Sequence, residues 1–259
     1  MSESLTIIKI GGSSSKNYIK IIEEIAKHVK IGSKIIIVHG GGQLISNWLN
    51  RMNIETKFVE GLRYTDEITL DIVIGALAGT TNKQLVAELN KFDLRAIGIA
   101  GVDDNLFQAQ TINMNIGYVG EIKKVNTSIL EDLLNSKYLP VIAPIAASLD
   151  QESAILNVNA DTAAIALAIA TNAKDCILLS DVDGVKNENG KIINNLTPDH
   201  AEELIMKKII VDGMIPKVEN AIIAAKSGVK CHIANSERKS IISDIFNNSA
   251  IETIISTTN

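Results

Sequence analysis

"KIIIVHGGGQL", residues 34–44, runs through four aliphatic residues and a histidine into three consecutive glycines. An apolar run of this length, rich in Ile and Val and stopped by glycine, reads as a strand buried on both faces. Glycine costs about 0.5–1 kcal/mol relative to alanine inside a regular element. Three together therefore mark a tight turn or a place where a ligand approaches the backbone closely. The following QLISNWLNRM carries a helix pattern. Strand, glycine turn and helix form the repeating unit of an α/β fold, where ligands sit outside the carboxyl ends of the strands.

The same alternation extends outward. LTIIKI (5–10), RAIGIA (95–100), LPVIAPI (139–145), DCILLS (175–180) and VKCHIA (229–234) read as further strands. Between them lie helix patterns. Residues 17–30 set Ile21, Ile25 and Val29 on one face, and residues 66–91 form a long second pattern. A third starts at the capping-type Thr127, and a fourth has Thr197 as N-cap with Pro198 at its first position. A fifth ends at Gly228, a C′ glycine. Asn189-Gly190 centres a hairpin turn in NENGKI (187–192). The pattern predicts an α/β fold with a mainly parallel sheet. No internal repeat or low-complexity linker interrupts it, so a division into lobes is expected as a hinge near 171–175.

Composition narrows the function classes. The 259 residues are 46% hydrophobic and 21% charged, as in a soluble globular protein. A net charge of −5 and an aromatic content of 3% argue against a nucleic-acid surface, which needs a basic footprint and stacking rings. Cys176 and Cys231 each sit inside an apolar run and read as buried thiols, without disulfide or zinc spacing. The first strand begins at Leu5, which leaves no room for a signal peptide. No apolar stretch of about 18 residues is present to span a membrane. A soluble, cytoplasmic protein is expected, with no nucleic acid or membrane among its partners.

Several stretches carry candidate chemistry. Lys9 precedes Gly11, Gly12 and three serines in KIGGSSSKN, which reads either as an amide cradle for phosphate or as a plain strand-to-helix turn. His39-Gly40-Gly41-Gly42 can bring a carboxylate or phosphate to helix-terminal N–H groups. His39 itself reads as a packing or turn residue rather than a base. Arg63 in EGLRYTDE either grips a carboxylate in bidentate fashion or is a surface arginine. In NVNADTAA, N-capping by Asn159 or Asp161 explains one of the polar residues Asn157, Asn159 and Asp161, but not all three. LLSDVDGV ends a strand with two acids and a glycine, and IVDGMIPKVENA brings Lys217 to a helix start.

In this order and spacing, KIGG, VHGGG, GLR, GALAGTTNK, GYVGEI, NVNADTAA, LLSDVDGV and DGMIPKV resemble the amino acid kinase family from about Leu5 to Ala234. The resemblance implies a three-layer αβα sandwich around a mainly parallel central sheet. It implies a lobe over 1–174 for acylamino-acid binding and dimerisation, and a lobe over 175–259 for ATP. VHGGG with EGLR and NVNAD favours the branch that phosphorylates the γ-carboxylate of N-acetyl-L-glutamate in arginine biosynthesis. On that branch Lys9 and Lys217 would stabilise the transferring phosphoryl group and Asp161 would orient them. Gly41 and Gly42 would hold the γ-carboxylate region, Arg63 the α-carboxylate, and Asn157 and Asn159 the remaining acylamino acid. Gly11, Gly12, Ser180, Asp181, Val182, Asp183, Gly184, Val185, Lys186, Ile209, Ile210, Val211, Asp212, Gly213 and Met214 would line the nucleotide site. ATP would carry Mg²⁺ on its phosphates, without a protein ligand.

Two departures from the family pattern stand out: Ser13-Ser14-Ser15 after KIGG, and Glu252 where a glycine precedes threonine. Only four residues precede the first strand, so the interlacing helix of arginine-inhibited hexamers is expected to be absent and a homodimer to form. Two other readings remain. One is a kinase for aminoadipate or glutamate on a carrier protein, and the other is a non-catalytic nucleotide or amino-acid sensor.

Overall fold

The computed structural model describes residues 4–11, 18–150 and 154–257. Gly12 and Ser13–Ser15 lie outside the described residues. The first half of the chain forms β1 (Leu5–Ile10), α1 (Tyr18–Lys30), β2 (Lys34–His39), α2 (Gly42–Arg51), β3 (Phe58–Val59), β4 (Leu62–Arg63), α3 (Glu67–Ile74), α4 (Asn82–Asn90), β5 (Ala96–Ala100), β6 (Phe107–Thr111) and β7 (Gly120–Val125). The second half continues with α5 (Ser128–Asn135), β8 (Leu139–Ala143), β9 (Ile145–Ser148), β10 (Ile155–Asn157), α6 (Ala160–Ala170), β11 (Asp175–Ser180), β12 (Asn195–Leu196), α7 (Pro198–Met206), α8 (Met214–Lys226), β13 (Lys230–Asn235), α9 (Ile241–Phe246) and β14 (Glu252–Ile255).

The chain divides into two compact units, and it passes from one to the other inside β2 and inside α6. One unit takes residues 4–11, 18–36 and 164–257. There β1 pairs in parallel with β11, Thr6 opposite Asp175 through Lys9 opposite Leu178, which ties the chain's start to its end. In this unit β11 also pairs in parallel with β13, while β14 runs antiparallel to β13 and parallel to β12. Ile7, Ile8, Ile177, Leu178 and Ile233 are buried, as near-continuous aliphatic runs require. Both cysteines are free and buried. The unit's polar interior centres on His232, held between Glu252 (2.9 Å from Nδ1) and Asp175 (3.1 Å from Nε2).

The other unit takes residues 37–150 and 154–163. Here β2, β8 and β5 are parallel, with Ile37 opposite Val141 and Ile97 opposite Pro140. A second sheet has the order β10-β9-β6-β7, and β3 and β4 form a short hairpin. The core packs Ile45 and Leu49 of α2 against Ile72, Val73, Leu77, Ala100, Ala143 and Ile145.

The helix expected over 66–91 is a helical run from Glu67 to Asn90 that widens into a π-helical segment at Gly75–Thr81, where GALAGTT carries two glycines and two threonines. The strand expected over 139–145 ends at Ala143, and Ile145 opens β9. Thr127 does not cap α5. Its hydroxyl donates to Glu131, and Asn126 Oδ1 accepts from the Ser128 N–H instead. Thr197 does cap α7, and Gly228 beyond α8 has φ +86°.

Candidate active site

In the unit of residues 37–163, a cavity of about 180 Å³ opens at the carboxyl end of β2. Gly41, Gly42, Arg63, Asn157 and Asn159, read from three separate motifs, all line it. Gly41 is the N-cap of α2 and supplies no side-chain acceptor, so the first-turn N–H groups of that helix lack a side-chain cap. A β-carbon at Gly41 would lie 2.6 Å from Leu77 Cδ2, so any larger residue there would force the Leu77 side chain to shift. The start of α6 reaches the same cavity through Asn159 and Ala160. Asn159, rather than Asp161, is the cap: its Oδ1 accepts from the N–H groups of Asp161 (2.8 Å) and Thr162 (3.2 Å).

Arg63 is a buried arginine, not a surface one. It enters from β4, whose partner β3 places Phe58 beneath the guanidinium, 4.8 Å from its carbon to the ring centroid. Nη2 donates to the Gly42 carbonyl (3.1 Å) and Ser46 Oγ (3.0 Å), while Nη1 is buried with no hydrogen-bond partner. Burial lowers its pKa from the ordinary guanidinium value, but a guanidinium stays charged in proteins. Among the described residues, no other charged side chain lines the cavity. A desolvated cation with an open donor, beside two helix N-termini, suits a small anion.

Asn157 is fixed through the preceding turn. Its Nδ2 donates to Thr65 Oγ1 (3.2 Å), which in turn donates to the Arg63 carbonyl (2.8 Å). Thr65 also receives the Tyr118 N–H on its carbonyl (2.7 Å). Gly117, at φ +73°, permits this approach, since a β-carbon there would overlap the Thr65 carbonyl. Thr65, Ser46 and Phe58 carried no role in the sequence reading. Only the i+4 spacing of Ser46 from Gly42 could have flagged one of them.

The other unit gathers the phosphate-type candidates. Because β1, β11 and β13 are parallel, their carboxyl ends share one edge. That edge carries Lys9 and Gly11, then Ser180 and the loop through Lys186, then Asn235. Asp183 Oδ1 accepts from Arg238 Nε (2.7 Å) and Asn235 Nδ2 (2.9 Å), and these bonds lower its pKa below the ordinary carboxylate value. Thr253 Oγ1 accepts from the Val185 N–H (2.7 Å) and donates to the Ile193 carbonyl (2.7 Å). Val185 is buried, so its side chain serves packing. Asp181 and Lys186 are exposed, and Val182 is half-buried. Ile210 is buried, while Val211, Asp212 and Gly213 are exposed. Lys217 lies in the first turn of α8, after Met214. Asp161 belongs to the other unit, in the first turn of α6. Among the described residues, no group of three or more His, Cys, Asp or Glu converges as a metal cage, and no helix is long and apolar enough to cross a membrane.

A glycine turn feeding a helix N-terminus, a buried arginine across from it and a lysine-bearing sheet edge, on mainly parallel α/β sheets, are the parts of a small-molecule phosphotransferase. The profile of the Amino acid kinase family matches residues 4–235, and the chain belongs to that family. Among its relatives, an acetylglutamate kinase of Campylobacter hominis is 39% identical, aligned over 98% of this chain and 91% of its own. An acetylglutamate kinase of Bacillus cereus is 41% identical over 90% of each chain. A crystal structure from Streptococcus mutans UA159, smu.665, superposes with a TM-score of 0.80 at 27% identity over 98% of both chains.

Proposed function

We propose that this chain transfers the γ-phosphoryl group of ATP to the γ-carboxylate of N-acetyl-L-glutamate, as a cytoplasmic homodimer in arginine biosynthesis. The observation that carries the reading is the buried, half-engaged Arg63 in a cavity that no acid among the described residues lines. One carboxylate of the acceptor meets the guanidinium, and the other meets the amides at Gly41 and Gly42, with Asn157 and Asn159 on the acylamino group. The unit of residues 37–163 is thus the acceptor unit and the other the nucleotide unit, through Gly11, residues 180–186 and residues 209–214. A carboxylate is already a nucleophile near neutral pH, so no general base is needed, and catalysis reduces to positioning and charge stabilisation. Lys9 and Lys217 supply that charge, and Asp161 orients them. Mg²⁺ would arrive on the ATP phosphates, where it neutralises charge.

Hydroxylamine trapping of the acyl phosphate, run across N-acetylglutamate, succinylglutamate, glutamate and carrier-bound aminoadipate, tests the reading. Turnover only of the carrier-bound acceptor would move the assignment to the carrier-linked kinases, and inactivity on all would favour a sensor. Arg63→Ala is expected to raise the acceptor KM by about 10²-fold, the scale of losing a paired charge-assisted bond, with the ATP KM little changed. An equal loss for both substrates would remove Arg63 from the acceptor site. Sedimentation as a hexamer would overturn the homodimer.

A further inference from the structure

We propose that His39 is a positioning residue, set by Asn82 and Lys83, that aims the Gly41 amide into the acceptor cavity; this rests on the acceptor reading above. Asn82 begins α4 and is 0% exposed, and His39 ends β2 at 1% exposed, so water does not substitute for their mutual bonds. The protons in this chain are dictated by its ends. Lys83 Nζ has only hydrogens to offer, so the Asn82 atom 3.0 Å away is the carbonyl oxygen Oδ1. That fixes Nδ2 as the amide nitrogen, whose two hydrogens serve the Val141 carbonyl (3.0 Å) and His39 Nε2 (3.1 Å) ahead of the more distant Ile99 carbonyl (3.5 Å). Nε2 must then be the bare nitrogen. The ring proton sits on Nδ1 and is donated to the Gly40 carbonyl at 3.0 Å. Burial, above all, pushes the His39 pKa down to about 4, so the ring is neutral across the working range.

The consequence falls on the glycine turn. No peptide bond in the described chain is cis, and in a trans peptide the carbonyl of one residue and the N–H of the next point in opposite directions. Holding the Gly40 carbonyl on His39 turns the Gly41 N–H the other way, and Gly41 lines the cavity. Two further features are built around the relay. On β5, Gly98 leaves room for the amide: a β-carbon there would overlap Asn82 Oδ1 and lie 2.9 Å from Lys83 Nζ. The π-helical segment that presses Leu77 and Thr81 against Gly41 ends directly before Asn82, so one element delivers both contacts. Widened turns of this kind recur at functional sites.

His39→Asn and His39→Gln separate positioning from packing. Asparagine places an amide nitrogen near the Nδ1 position and still reaches Gly40. Glutamine reaches only toward Asn82 and leaves the Gly40 carbonyl without its donor. Expected is an acceptor KM about tenfold higher in H39Q, the scale of one hydrogen bond, and within about threefold of wild type in H39N, with the ATP KM moving in neither. Equal rises in both variants, or none in either, overturn the proposal. Should a variant not fold, the ¹⁵N shifts of the His39 ring in the wild-type protein decide instead: protonated Nδ1 with bare Nε2 is expected, and the reverse tautomer overturns it. Because the shifts need no acceptor, a wild-type protein inactive on every acceptor would sink the functional reading while this test still stands.

Discussion

Lys9→Ala and Lys217→Ala are each expected to lower kcat by about 10²–10³, roughly 3–4 kcal/mol of lost transition-state stabilisation, with the fold intact. The reaction sets one anion on another: a carboxylate approaches a phosphate, and negative charge spreads over the phosphoryl oxygens in flight. Interactions that strengthen only at that moment raise kcat rather than tighten substrate binding. Two ammonium groups are suited to this, because each is a compact point charge. Lys9 stands near the carboxyl end of β1, opposite Leu178 of β11, on a backbone fixed by neighbouring strands. Lys217 stands in the first turn of α8, where the preceding 209–213 segment leads into the helix. Neither is a core residue, so truncation leaves the packing of Ile7, Ile8 and Val218 in place. Steady-state rates with saturating ATP and acceptor, together with circular dichroism, check the expectation. Near-normal turnover in both variants with unaltered spectra would remove the lysines from the chemistry.

Legibility in the sequence followed burial. The parallel strands were readable because burial on both faces demands unbroken Ile and Val, as in KIIIVH and DCILLS. The sheet β10-β9-β6-β7 was not readable. FQAQT keeps only alternate residues inside and GEIKKV buries only Gly120, so polar Gln108, Gln110 and Lys124 leave no apolar run to read. The cavity residues were nameable because each interrupts a regular element: a glycine run, an arginine before a helix, asparagines before a small-residue helix. What could not be read was the support around them. Thr65, Ser46 and Asn82 are ordinary polar residues in sequence, and their roles depend on partners that are 17–92 positions away along the chain. Glu252 shows the opposite case. It stood out as a departure, and the structure gives its reason, since the carboxylate binds His232.

That pair carries the largest expected effect on stability. His232→Leu is expected to cost about 3–5 kcal/mol, the penalty of removing one partner from a buried ion pair. Leucine fills the space but donates no hydrogen bond, so Glu252 and Asp175 are left as two acceptors facing an apolar group. At about 2–4 °C per kcal/mol for a chain of this size, the melting temperature should fall by at least about 6 °C. The same interaction sets a pH dependence whose sign is fixed. Burial holds the His232 pKa down, but the hydrogen bonds and charges of Asp175 and Glu252 outweigh it and raise the value to about 9, above the ordinary 6.5. A raised folded-state pKa means stability that is complete below about 6.5 and is lost as pH climbs through about 9. Besides these two carboxylates, Lys174 and Lys230 line the small cavity next to the imidazole. Their positive charge opposes the imidazolium, so the carboxylates must supply the stabilisation. Wild-type melting temperatures should therefore decline between pH 6.5 and 9, and H232L should lack that decline. A flat wild-type profile, or a variant as stable as wild type at pH 6.5, would show that the imidazole is not held as a cation between its two acids.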